Sequence, residues 1–121
     1  MEYRGNVPGV PVSKSNAYRI ITINGHASLT KSKAMKDYED TFLWHIGPMR
    51  GLNLDRPFEL RLRVWFPSKR SDLDGCLKAI LDCLQVAKVI RNDNNCNKIT
   101  AEKFIDKACP RIEFEIEEVG I

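Results

Sequence analysis

From Phe58 to Phe66 the chain alternates without a break. Phe58, Leu60, Leu62, Val64 and Phe66 fall on one side, and Glu59, Arg61, Arg63 and Trp65 on the other. A period of two places these sets on opposite faces of a strand. Only one face is apolar, so the strand belongs to a sheet that covers a core with one side. Almost at once the period changes. Leu73, Cys76, Leu77, Ile80, Leu81 and Leu84 recur at steps of three and four, which predicts an amphipathic helix over roughly 73–86. Ile112, Phe114 and Ile116 alternate with Glu113, Glu115 and Glu117 and predict a final strand.

The remaining segments fit around that frame. Tyr18 to Ile23 is β-branched and apolar, and Asn24-Gly25 follows. This pair favours a tight hairpin because both central residues need positive φ; a short second strand is expected over 26–29. Met35, Tyr38, Phe42 and Ile46 mark a helix over about 31–46, stopped by Gly47-Pro48. A polar loop covers 91–97, and Lys98 to Asp106 reads as a strand. Residues 1–17, rich in Pro, Gly, Ser and Asn, read as an irregular arm. The expectation is one α+β domain over 1–121. Its sheet of four to five strands is mostly antiparallel or mixed, with two main helices.

The chain has 121 residues, 43% hydrophobic and 29% charged, the composition of a soluble globular domain. No stretch approaches the roughly 20 apolar residues of a membrane helix, and the first residues lack the apolar core of a signal peptide. The cytoplasm is the expected compartment. Cysteines 76, 83, 96 and 109 form no CxxC pair. A zinc knuckle is therefore not expected, and disulfides are not expected in a reducing compartment. Net charge is only +3, but residues 1–36 carry six basic residues against one acidic, and residues 56–70 five against one. Two basic blocks lining one surface would attract phosphates; solvated faces are the alternative.

The stretch Ser71-Asp72-Leu73-Asp74-Gly75-Cys76-Leu77-Lys78 opens the second helix. Acidic residues are favoured in a first turn on structural grounds alone, with Ser71 or Asp72 as the cap. Three features point further. Lys78 lies one helical turn beyond Asp74. Asp74, Lys78 and Asp82 form one polar row opposite the leucines. Asp93 follows in the polar loop. Carboxylates beside a lysine suit Mg²⁺, which prefers hard oxygen ligands and bridges readily to phosphate. Such an ion activates water and stabilises charge on a phosphodiester, and a lysine neutralises charge on the leaving oxygen.

These residues carry a resemblance. S-D-L-D-G-C-L-K-A-I-L-D-C-L followed by V-I-R-N-D-N-N-C is similar to the RusA-type Holliday-junction resolvases. Their pattern is D-x-D-N-x-x-K-x-x-x-D-x-L, then an apolar pair and D-D-x-x-I/V. The resemblance runs over about 58–116. It implies a small homodimeric endonuclease, bacterial or phage-encoded, that nicks four-way and related branched DNA symmetrically with Mg²⁺ or Mn²⁺ and needs no nucleotide cofactor. It assigns Asp72, Asp74 and Asp93 to the metal and to catalysis together with Lys78. Two positions depart from the pattern: Gly75 stands in place of an asparagine, and Asn92 in place of the first aspartate of the later pair. A non-catalytic branched-DNA-binding module of the same fold is the alternative. An interaction domain using the acidic strand 112–118 is a third reading.

Asp93 must return along the helix to join Asp74. Residue 86 lies about 18 Å up the helix from Asp74, and seven residues then span at most about 25 Å. Either the chain doubles straight back or a second subunit supplies Asp93. A C₂ homodimer would match the two opposed cuts a four-way junction needs. Lys69 and Arg70, with Lys14, Arg19, Lys31, Lys33 and Lys36, are the expected phosphate-binding residues, contributing affinity and position without base readout. Trp65 would pack under the first helix, meet a dimer partner or stack on an unpaired base. His26 and His45 are isolated, and His45, on or beside the apolar face of the first helix, reads as structural. Asp82 reads as a partner for Lys78.

Overall fold

The computed structural model describes residues 2–119. Chain order is β1 (Glu2–Pro8), a short helix α1 (Lys14–Ala17), β2 (Tyr18–Ile23), β3 (His26–Lys31), α2 (Lys33–His45), β4 (Phe58–Phe66), α3 (Leu77–Val86), β5 (Cys96–Ile105) and β6 (Arg111–Glu118). Four strands form one mixed sheet in the order β1-β6-β4-β5. β4 pairs in parallel with β5 and antiparallel with β6, and β6 pairs antiparallel with β1. β2 and β3 form a separate hairpin whose turn residues Asn24 and Gly25 take φ of 52° and 80°. The α+β class, the mixed sheet and the two main helices match the expectation. Among the described residues no helix is long and apolar enough to cross a membrane.

The alternation of β4 does what its period requires. Phe58, Leu60, Leu62, Val64 and Phe66 are all buried, as are Ile112, Phe114 and Ile116 of β6. Met35, Tyr38 and Phe42 of α2 and Ile80, Cys83 and Leu84 of α3 complete the same core. Phe42 stacks on Phe114 with centroids 5.9 Å apart.

The arm expected over 1–17 is not irregular throughout. Its first segment is β1, paired from Glu2↔Glu117 to Pro8↔Arg111. Its inward set is Tyr3, Gly5 and Val7. Gly5 is required by close approach, because a Cβ there would lie 2.4 Å from Cζ of Phe114 and 2.8 Å from Cε of Met49. The chain then leaves the sheet, and α1 leads into the hairpin.

The polar face of β4 is built of ion pairs across strands. Arg61 meets Glu117 at 2.9 Å and Glu2 at 2.7 Å, and Arg63 meets Glu115 at 3.0 Å. These partners raise the pKa of both guanidinium groups. Trp65 lies on this outer face, away from α2. It stacks on Phe104 at 5.0 Å with the Arg111 guanidinium 4.1 Å above its ring. Packing under the first helix is thereby corrected: the odd-numbered side of β4 faces away from the core. His45 is exposed rather than set on the apolar face of α2, which is formed by Met35, Tyr38 and Phe42, and its Nδ1 lies 2.8 Å from the Thr41 carbonyl oxygen.

Candidate active site

β4 ends at Phe66, and residues 67–73 lead through a 3₁₀ turn at Asp74–Cys76 into α3. Asp72 and Asp74 are both exposed. They line a cleft of about 710 Å³ with Ser13, Lys14, Ser15, Arg70, Ser71 and Gly75. No side chain caps this helical start, so the expected capping by Ser71 or Asp72 is not realised. The tight 3₁₀ turn, with Cys76 N–H on the Leu73 carbonyl at 3.4 Å, does that work instead. Among the described residues neither aspartate pairs with a protein donor, which leaves both carboxylates open to the cleft.

The loop bearing Asp72 is fixed by a residue that no sequence motif singles out. Lys103 of β5 donates to the carbonyls of Lys69, at 2.9 Å, and of Ser71. Its ammonium also lies 5.7 Å from the Phe66 ring centroid. A cation on β5 thus holds the segment that carries Lys69, Arg70 and Asp72.

Asp93 is brought back to α3 by its own chain, against Lys78 and Gln85. After α3, residues 87–91 run against 51–54. Ala87 and Val89 accept from Gly51 and Leu54 at 3.1 and 3.0 Å, and Arg91 donates to the Leu54 carbonyl at 2.9 Å. Lys88, with φ of 56°, makes the turn. The chain doubles back, so reach alone does not demand a second subunit. Asn92, the departure from the family pattern, accepts from the Asn94 N–H at 3.0 Å and caps the 3₁₀ turn at Asp93–Asn95. An amide oxygen serves here as an aspartate would. Asp93 donates its N–H to Gln85 Oε1 at 3.1 Å, and its Oδ2 accepts from Lys78 Nζ at 3.0 Å.

Lys78 also lies 3.0 Å from Asp82 Oδ1, as its spacing predicted. The two carboxylates raise its pKa, Asp93 most. Asp82 in turn accepts from the Tyr18 hydroxyl. Burial and this bond push Tyr18 up to about 12. Lys78, Asp82 and Tyr18 line a second recess of about 470 Å³ with Lys31, and Lys14 borders both it and the acidic cleft.

The expected trio is therefore divided. Asp72 and Asp74 share the cleft, and Asp93 sits against Lys78. Among the described residues no group of three His, Cys, Asp or Glu side chains is close enough to hold a metal. The ammonium of Lys78 supplies the counter-charge that Asp93 would otherwise seek. The donors themselves suit a hard cation: two unpartnered carboxylates on an open cleft leave room for the waters that Mg²⁺ retains.

The basic residues also divide. Lys14 and Arg70 lie in the cleft. Lys31 pairs with Glu39 at 2.8 Å and Lys33 with Asp37 at 3.1 Å. Arg19, Lys36 and Lys69 are exposed. Arg61 and Arg63, from the second basic block, lie on the outer sheet face, so that block is split and only Arg70 joins Lys14 of the first block in the cleft.

The family described as Endodeoxyribonuclease RusA matches residues 8–117. A relative from Aquifex aeolicus (strain VF5), crossover junction endodeoxyribonuclease RusA, is 29% identical over 100 residues, covering 81% of this chain and 77% of the relative. With a match spanning both the aspartate cleft and the Lys78–Asp93 pair, this chain belongs to the RusA endodeoxyribonuclease family.

Proposed function

We propose that this chain is an endodeoxyribonuclease that resolves four-way and related branched DNA by paired, symmetric phosphodiester hydrolysis. It acts as a homodimer with Mg²⁺, or Mn²⁺ in its place, and without a nucleotide cofactor. The observation that carries this reading is the open pair Asp72 and Asp74, on one cleft with Lys14 and Arg70; Lys78, one helical turn beyond Asp74, is bonded to Asp93. Asp72 and Asp74 would hold the cation, and Asp93, which the family pattern assigns to it, would offer its Oδ1 while its Oδ2 stays on Lys78. When bound, it would supply Lewis-acid activation of water and charge stabilisation at the phosphate. Lys14 and Arg70 bind backbone phosphates flanking the scissile bond. Lys78, tethered rather than free, presents its ammonium to charge that develops on the leaving oxygen. A two-fold dimer places two such sites on a pseudo-two-fold junction.

The test is incubation with a labelled four-way junction and a linear duplex, with and without Mg²⁺. Symmetric nicks in the junction alone are expected. Asp72→Asn, Asp74→Asn and Asp93→Asn should each abolish nicking while keeping or tightening junction binding, since one carboxylate no longer repels phosphate. Cutting by all three variants would refute the mechanism. The Lys78–Asp93 contact, with no three-carboxylate group among the described residues, favours a second reading, a branched-DNA-binding module without turnover. Junction binding with no metal-dependent nicking would select it.

A further inference from the structure

We infer that Tyr18 and Asp82 are positioning residues that aim the Lys78 ammonium at Asp93; this rests on the proposed nuclease reading. A lysine on a helix surface is a flexible stem with a point charge, and Lys78 is half exposed, with 49% of its side chain accessible. Left alone it would sample many rotamers. Asp82 removes that freedom from one side. It lies one turn further along α3, its side chain is only 16% exposed, and its Oδ1 sits 3.0 Å from Lys78 Nζ. Asp93 holds the same nitrogen at 3.0 Å from the other side. Two of the three ammonium protons are thereby directed, and one remains for a phosphate oxygen.

Asp82 would itself be free to swing without Tyr18. The tyrosine hydroxyl donates to Oδ2 while Oδ1 faces the lysine, so both carboxylate oxygens are committed. Tyr18 is anchored independently of α3. It opens β2 opposite Lys31, and the preceding Ala17 accepts from the Ser32 N–H at 2.9 Å. Ser32 Oγ also donates to the Asn16 carbonyl at 2.7 Å and caps α2 by accepting from Met35 N–H at 3.1 Å. The hairpin base and the start of α2 thus form a fixed post. From it a chain of directed bonds runs through Asp82 to Lys78 and ends on Asp93. Such support is what holds a reacting group within tolerance, and a misplacement of about 1 Å is enough to cost up to about 100-fold in rate.

The experiment uses the full chain with Tyr18→Phe, Asp82→Asn and Lys78→Met, singly and combined. Tyr18→Phe removes one oxygen and keeps the ring, so folding is retained. Tyr18→Phe and Asp82→Asn should each lower kcat for junction nicking about tenfold, leaving KM and junction affinity unchanged. In the Lys78→Met background neither should lower kcat further, because both act through that lysine. A merely structural role predicts that the decreases multiply, and that result would overturn the inference. A second readout needs no turnover. The ¹⁵Nζ resonance of Lys78 should be slow to exchange in the wild type and absent or broadened in Tyr18→Phe and Asp82→Asn. An unchanged resonance in both variants would also overturn it. An intact resonance pattern in a protein that nicks no junction would sink the nuclease reading alone.

Discussion

Position 75 has room for a side chain. A Cβ on Gly75 would meet Cβ of Ser13 at 3.7 Å and Cβ of Asp72 at 4.0 Å, both ordinary approaches. Nothing in the backbone therefore demands glycine, and the asparagine of the family pattern fits against Asp72. Gly75→Asn is expected to fold with a Tm equal to the wild type or a few degrees higher, since a glycine leaves a helical start. It should also lower the Mg²⁺ concentration needed for half-maximal nicking, by adding an amide beside the cleft carboxylates. A melting curve and a Mg²⁺ titration check both. Cys83 sets a limit at high pH. Burial holds its thiol at about 12, against 9.0 for a free thiol. The unfolded chain gives up this proton first, so the group's contribution to stability is complete below pH 9 and drains as pH rises toward 12. The slope is roughly 1.4 kcal/mol per pH unit. Cys83→Ala should flatten the fall of Tm above pH 9 while costing about 1 kcal/mol of packing at neutral pH. An unchanged alkaline slope would refute this.

At the scale of elements, strands and helices with one clean periodicity were legible. β4 shows its period of two in every residue, and the stripe from Leu73 to Leu84 places α3 within a turn. β1 was not legible because Gly5 interrupts its inward set of Tyr3, Gly5 and Val7. The missing side chain is supplied by Phe114 from β6, a long-range fact. Asp72, Asp74 and Lys78 were readable as a local spacing on one helical start. The return of Asp93 depends on hydrogen bonds between residues 51–54 and 87–91, which no spacing reveals. Lys103 was invisible for a related reason: its partners are backbone carbonyls of a segment more than 30 positions away. Its role makes a prediction. Lys103→Met keeps an apolar stem near Phe66 but deletes both bonds to the loop. Hydrogen exchange at residues 69–72 should accelerate and the Mg²⁺ requirement should rise several-fold. Global stability should fall by only about 1 kcal/mol, the ordinary net worth of exposed hydrogen bonds. Unchanged exchange in that loop would remove Lys103 as its support.

At the scale of the whole molecule, the sheet separates two electrostatic surfaces. On the outer face Arg61, Arg63 and Arg111 are answered by Glu2, Glu117, Glu115, Glu113 and Asp106. Its cations are outnumbered by the carboxylates that pair with them, so that face offers DNA little. The cleft side keeps cations whose charge is not spent in ion pairs among the described residues, Lys14 and Arg70 beside Asp72 and Asp74. Charge counted along the chain joined Arg61 and Arg63 to Lys69 and Arg70, because alternation along a strand and its following loop sends neighbours to opposite surfaces. Phosphate binding follows the surface, not the count. Removing one cation that neutralises a phosphate should reduce the slope of log affinity against log salt by about 1. Lys14→Ala and Arg70→Ala should each do so for junction binding measured across a salt series. Arg63→Ala should leave the slope unchanged, although it strands Glu115 and lowers stability. If Arg63→Ala shifts the slope while Lys14→Ala and Arg70→Ala do not, DNA lies across the sheet, and the acidic cleft is not where the backbone is cut.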